Sequence, residues 1–304
     1  MSDKPAYLVF DSETVSDGRL VQRVRYPGED ALSPAEAVAR YRAQLLEERG
    51  SDFVPHTFQV PVSVAIAKVA ADHSLLDVVT LDRPRFRPQV ITRQFWRGWE
   101  HYGMPLMITF NGRGFDLPVL ELAAYRYCIP VPAWFLHGAK SWEDPRNRFS
   151  VRGHLDLMDV LSNHGAARMS GGLDLLATLL GKPGKMGTKG EMVQELWESG
   201  EHLHIDDYCM CDCLDTYFVF LRTRVLQGAL APAEEAGRVA AARDWIAAAA
   251  EENAALREYL DNFHQWRPVG DDDDPFLGGD AAVKDEASAE DGVAKDAGGA
   301  AADG

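Results

Sequence analysis

The chain has 304 residues, 46% of them hydrophobic, with a formal net charge of −16. That is enough for one large α/β domain with appendages, and no apolar run approaches membrane-spanning length. The charge is uneven. Asp271 to Gly304 holds eleven acids against two lysines, leaving 36 acids against 29 bases in the rest, so net charge neither supports nor excludes a nucleic-acid partner. No secretory signal is visible ahead of Asp11, and the expectation is a cytoplasmic protein with no membrane partner. Protein partners are not legible.

Taken in order, Tyr7 to Thr14, YLVFDSET, has the length and the β-branched and aromatic content of a buried strand. Asp11 and Glu13 lie two apart, so on a continuing strand both side chains leave one face. Two carboxylates side by side repel each other, an arrangement that makes sense with a divalent cation between them. Oxygen-only ligands suit Mg²⁺ or Mn²⁺. The alternative is a pair of solvated acids in the turn after an edge strand.

Val15 to about Gln59 is a long insertion that opens on a mixed polar and basic stretch with Arg19, Arg23 and Arg25. Ser33-Pro34-Ala35-Glu36 carries an N-cap, a first-turn proline and a capping-box acid, which predicts a helix from about Pro34 to Arg49, ended by Gly50. Strands are predicted at 60–69, 75–81 and 106–110, with a helix near 91–102. Three strands with short joins followed by a helical crossover predict a mixed sheet with a meander.

The fourth strand runs into Asn111-Gly112-Arg113-Gly114-Phe115-Asp116, whose glycines mark a sharp strand-to-helix turn. Asp116 opens the helix DLPVLELAAYRYC. An acid there serves as a cap, or it belongs to a site at the carboxyl end of a strand. Trp134 to Arg152 reads as a loop with several basic residues. HLDLMDV, from His154, reads as a strand entering a helix, and Gly172 to Leu180 as a short helix. The loop 181–190 carries Lys182, Lys185 and Lys189, either as a solvated loop or as a phosphate-contacting one.

Helices are predicted at 191–198, 205–227 and, in an Ala-rich stretch, 232–266. Tyr208 and Asp212 are four apart and share a helix face. Cys209, Cys211 and Cys213 would point in three different directions and could not together close a zinc site. With Cys128 they are expected to be reduced, buried thiols. From Gly270 the composition is rich in Asp, Gly and Ala and is that of a disordered tail. The expected organisation is a domain over 1–230, a helical extension over 231–269 and an acidic tail over 270–304. There is no internal repeat.

Asp-x-Glu at the first strand, Asn-x4-Asp after the fourth and Tyr-x3-Asp on a late helix together resemble the DEDD superfamily of 3′–5′ exonucleases. The likeness is to its tyrosine-bearing branch, and within that to stand-alone relatives of the proofreading domain of family B DNA polymerases. It spans about Tyr7 to Gln227. It implies an α/β, ribonuclease H-like mixed sheet flanked by helices, with two Mg²⁺ or Mn²⁺ ions. Asp11, Glu13, Asp116 and Asp212 carry over as ligands, and Tyr208 as the residue that positions the attacking water. Asn111 and Phe115 match the residues that hold the terminal nucleotides, and Lys185 and Lys189 are candidate phosphate contacts.

The activity implied is removal of nucleoside 5′-monophosphates from the 3′ end of single-stranded DNA or RNA. Two metals about 4 Å apart supply an activated water, an in-line geometry and neutralisation of the leaving oxygen. A phenol of ordinary pKa near 10 is a poor base, which casts Tyr208 as an orienting hydrogen bond. His202 and Asp207 show the His-x4-Asp spacing of the other branch, although His202 and His204 also read as polar residues at a helix entry. Of the two substrates, DNA is the preferred reading. The alternatives are an exoribonuclease and an end-binding module without catalysis.

Overall fold

The computed structural model describes residues 4–138, 140–150, 152–184, 186–187 and 190–264. Lys185, Lys189 and the acidic stretch from Gly270 lie outside the described residues. The chain divides into two units, Met1–Gln265 and Trp266–Gly304, and the fold below is that of the first.

Five strands, β1 (Tyr7–Ser16), β2 (Gln59–Val69), β3 (Leu75–Thr80), β4 (Leu106–Thr109) and β5 (His154–Asp156), make one sheet in the order β3-β2-β1-β4-β5. β1, β2 and β3 form the antiparallel meander. β4 and β5 run parallel to β1. This is a ribonuclease H-like sheet. β1 lies at its centre, so its carboxyl end, with those of β4 and β5, opens where parallel α/β sheets place their sites.

Strand alternation sorts β1 between two helix layers. Val9 packs with α8 (His202–Leu226), α9 (Pro232–Ala249) and α10 (Ala254–Asp261). Leu8 and Phe10 point the other way, toward Trp96 and Trp99 of α3 (Pro88–His101) and Leu117 and Leu120 of α4 (Asp116–Arg126). Each fully buried Leu or Phe contributes roughly 1.5–3 kcal/mol relative to exposure. From Cys209 to Leu221 of α8, every residue except Asp212 is buried. A helix buried all round is a central one, so the one position of this stretch that is left unburied, Asp212, calls for a reason.

The insertion is a small layer of its own. α2 (Pro34–Arg49) has the capping box in full, with Ser33 Oγ accepting from the Glu36 N–H and the Glu36 carboxylate accepting from the Ser33 N–H. Its Val38, Tyr41 and Leu45 bury against Val21 and Val54. Val21 belongs to α1 (Gly18–Arg25), where the sequence reading placed only a polar stretch. Asp17 caps that helix by accepting from the Arg19 and Leu20 N–H groups, and Val21 is its single buried residue, too little to register as a periodicity.

The remaining elements are α5 (Leu157–Ser162), α6 (Gly172–Leu179) and α7 (Val193–Glu198). The Ala-rich stretch is two helices rather than one. The first ends at Ala249, and Asn253 caps α10 by accepting from the Ala255 and Leu256 N–H groups. Cys128 is exposed, against expectation. Cys209 and Cys213, four apart, share the face of α8 that meets β1, and their thiols reach the main-chain oxygens of Asp11 and Val9. They do not diverge as expected, because a step of four residues is only a little more than one helical turn of about 3.6 residues. Among the described residues, no helix is long and apolar enough to cross a membrane.

Candidate metal and active site

Asp11 and Glu13 lie in the middle of β1, just past Val9, its last residue paired with β4, and opposite Ala65 and Ser63 of β2. They share the parity of Val9 and so face α8. Asp212, the one position of that helix core that is not buried, meets them there. One carboxylate oxygen from each of Asp11, Glu13 and Asp212 lies within 4.8 Å of the others. Burial, and then the charges of Asp116 and Asp212, push the Asp11 carboxyl well above the usual carboxylate range. Three acids so placed repel, and a divalent cation removes that repulsion. The donor set is all carboxylate oxygen, which suits Mg²⁺ or Mn²⁺ and not a soft metal.

Tyr208 lies one turn before Asp212 and shares a hydrogen bond with it. Burial, then the charges of Asp212 and Glu13, push the phenol far above its ordinary pKa. It is a neutral hydroxyl at any working pH and can orient a water molecule but not deprotonate one.

Asp116, the first residue of α4, reaches β1 from the other side. Ser12 Oγ donates to Asp116 Oδ1 at 2.5 Å, and Ser12 has the parity of Phe10, not of Asp11. Asp116 is near enough to raise the Asp11 carboxyl, yet it is not one of the three acids gathered within 4.8 Å. Burial raises its own pKa to about 6, against the lowering effect of the Ser12 hydrogen bond.

The turn before α4 is held by a residue the sequence reading passed over. Asp156 accepts from the Asn111 N–H at 2.8 Å, the Arg113 N–H at 2.9 Å and the Met158 N–H at 3.0 Å. Asn111 has a φ of +64°, which this cradle stabilises. Gly112 is required by close approach, since a Cβ there would run into the Thr109 side chain. The only local trace of Asp156 was its place as a polar residue at the end of HLD.

Phe115 touches Phe53, with ring centroids 5.7 Å apart. Both line a cavity of about 420 Å³ together with Glu13, Thr14, Gln59 and Gln194. This cavity joins the carboxylate cluster to the insertion.

His202 and Asp207 lie apart from the cluster. His202 is the first residue of α8, not part of an entry loop, and its ring stacks on Trp197 at 3.9 Å. Asp207 pairs with Arg83 and accepts from Asn253 Nδ2. Lys182 is buried, with its ammonium 3.9 Å from the centroid of Phe263 and 5.0 Å from that of Phe218. It is neither a solvated nor a phosphate-facing lysine, and burial lowers its pKa to about 8.

Comparison with solved structures finds similarity to the family B DNA polymerase from the hyperthermophilic archaeon Pyrobaculum calidifontis. Identity is 16% and the TM-score 0.46, with 72% of this chain and 24% of that chain covered, so the chain spans about a quarter of that polymerase. No curated protein matches the chain. A family model does match, over residues 51–264, and is described as a predicted 3′–5′ exonuclease related to the exonuclease domain of PolB. The matched stretch includes Asn111, Phe115, Asp116, Tyr208 and Asp212, while Asp11 and Glu13 precede it. With more than half of its residues matched, the chain belongs to the family of predicted 3′–5′ exonucleases related to the exonuclease domain of PolB.

Proposed function

We propose that this exonuclease shortens single-stranded nucleic acid, DNA in preference to RNA, from its 3′ end and releases nucleoside 5′-monophosphates. The observation that carries the reading is the meeting of Asp11 and Glu13 of the central strand with Asp212 of α8, one carboxylate oxygen from each within 4.8 Å of the others. These three and Asp116 would hold two Mg²⁺ or Mn²⁺ ions. Bound there, the ions supply neutralisation of charge on the scissile phosphate and activation of the attacking water. The preference for DNA is supported by the relation of the family to a DNA polymerase domain.

The chain's own residues do the positioning. The Tyr208 hydroxyl, kept neutral by burial and by Asp212, orients the attacking water. Asn111, fixed by Asp156, and Phe115 hold the terminal nucleotides. Lys185 and Lys189, which lie outside the described residues, are the candidate phosphate contacts.

The test is a 5′-labelled linear strand, as DNA and as RNA, incubated with Mg²⁺ or Mn²⁺, with chelator, and with Asp11→Ala. A ladder that shortens from the 3′ end is expected with metal and wild-type protein only, and a circular strand is expected to survive. Activity in chelator, or equal cutting of the circle, would overturn the reading.

A further inference from the structure

We infer that Phe53, supplied by the insertion between β1 and β2, is a substrate-positioning residue that stacks the 3′-terminal base beside Phe115. The inference rests on the exonuclease reading above and extends it to the substrate's last base. Phe53 is 58% exposed, although it stands among groups that fix the backbone on both sides of it. Before it, Asp52 Oδ2 accepts from Arg42 Nε at 2.9 Å and Nη2 at 2.5 Å. After it, Val54 is buried in the α1–α2 cluster, and its carbonyl accepts from Gln59 Nε2 at 3.0 Å. A large aromatic ring is thus presented outward from an anchored loop.

Its placement gives that ring a use. Phe53 lines the same cavity as Glu13, so an aromatic face stands beside a carboxylate of the cluster. At 5.7 Å between centroids the two rings touch and leave no room for a base between them. They form a tilted platform, and a base lies against its exposed side. About 420 Å³ falls in the range of small-ligand sites, roughly 300–1,000 Å³. Every base has a π-face, so a stacking platform binds without sequence preference, as an enzyme that removes successive nucleotides requires. The ligand class is an unpaired nucleobase at a strand end.

The experiment compares wild type, Phe53→Ala, Phe53→Leu and Phe53→Trp in two arms. In the kinetic arm, Phe53→Ala should raise KM for a single strand on the order of 10-fold, with kcat within about twofold of wild type. Phe53→Leu should resemble it, and Phe53→Trp should restore the wild-type KM. With an abasic 3′-terminal nucleotide, wild type and Phe53→Ala should share one KM, an equality that a merely structural role would not produce. In the binding arm, calcium replaces magnesium and the strand carries 2-aminopurine at its 3′ end. Fluorescence should be quenched by wild type and by Phe53→Trp, and not by Phe53→Ala. If wild type degrades the strand while Phe53→Ala keeps its KM and its quenching, the platform is overturned and the exonuclease reading stands. If wild type cuts nothing yet quenches the probe through Phe53, the exonuclease reading falls and the platform stands. Absence of both cutting and quenching by wild type overturns both.

Discussion

Ser12 Oγ donates a 2.5 Å hydrogen bond to Asp116 Oδ1, tying the strand that carries Asp11 and Glu13 to the first residue of α4. Both partners are buried. The bond ties the fourth acid to β1 near enough for its charge to raise the Asp11 carboxyl, so Ser12 sets where that acid stands relative to the cluster.

Ser12→Ala should therefore be destabilising, and more so at high pH. The folded-state pKa of Asp116, about 6, lies above its unfolded value. Its contribution to stability is full below the unfolded value and is lost as pH rises through about 6. Removing the Ser12 donor, which favours the charged form, raises that pKa further. At pH 8 the variant loses a bond to a charged group, roughly 1.5–3 kcal/mol, and at pH 5 mostly one to a neutral acid, roughly 0.5–1.5 kcal/mol. Melts in chelator at the two pH values check this, and an equal drop at both would contradict it.

Asp11→Asn should abolish turnover, with a loss on the order of 10³-fold or more. In chelator its melting temperature should hold or rise, since burial and two neighbouring acids already oppose ionisation at this position. Added Mn²⁺ should raise the melting temperature of wild type and raise that of the variant much less. A folded Asp11→Asn protein with wild-type turnover would remove this residue from the metal site.

A pH effect is also expected where α10 meets α8. Tyr259 Oη donates to Asp215 Oδ1 at 2.5 Å between α10 and α8, both groups being buried. Burial raises Asp215 to about 8. A raised folded-state pKa means stability that is complete below the unfolded value near 4 and is lost as pH rises through about 8. Between those limits the loss approaches about 1.4 kcal/mol per pH unit. Asp215→Asn, which stays neutral, should flatten this part of the melting profile. A profile equally steep in the variant would assign the slope to other groups.

How much of this was legible in the sequence depends on whether the signal was local. The YLVF run ahead of Asp11 and the Ser33/Glu36 capping box are local patterns, and β1 and α2 follow them closely. The pairing of Tyr208 with Asp212 needed only a helix. The cradle made by Asp156 joins a carboxylate to N–H groups as many as 45 residues away, and no spacing encodes it. Lys182 looked solvated because the rings that cover it, Phe218 and Phe263, come from later in the chain. Strand parity sends Ser12 away from Asp11, but its partner on α4 became visible only once the sheet was assembled. Phe53 stood inside an insertion with no motif to mark it.

Tyr208 and His202 make opposite predictions for the last motif. The Tyr208 hydroxyl lies beside Asp212 and is held neutral by burial and neighbouring acids. Tyr208→Phe removes one orienting hydrogen bond and should lower kcat roughly 10-fold to 10³-fold with little change in metal affinity. Asp212→Ala, which takes away a carboxylate of the cluster, should weaken both. The His202 ring stacks on Trp197 and meets the edge of Phe86. His202→Ala should lower the melting temperature through lost ring contacts, each contributing roughly 0.5–1.5 kcal/mol, and leave kcat nearly unchanged. Asp207→Ala takes from Arg83 one of its two carboxylate partners, Asp206 being the other, and from Asn253 Nδ2 its acceptor, and should likewise lower the melting temperature and leave kcat nearly unchanged. The pH profile separates the two branches further, because a histidine base would make the rate rise with a pKa near 6.5. A neutral tyrosine that only orients water contributes no such step. A dead His202→Ala enzyme beside a Tyr208→Phe enzyme of normal rate would place the chain in the histidine branch.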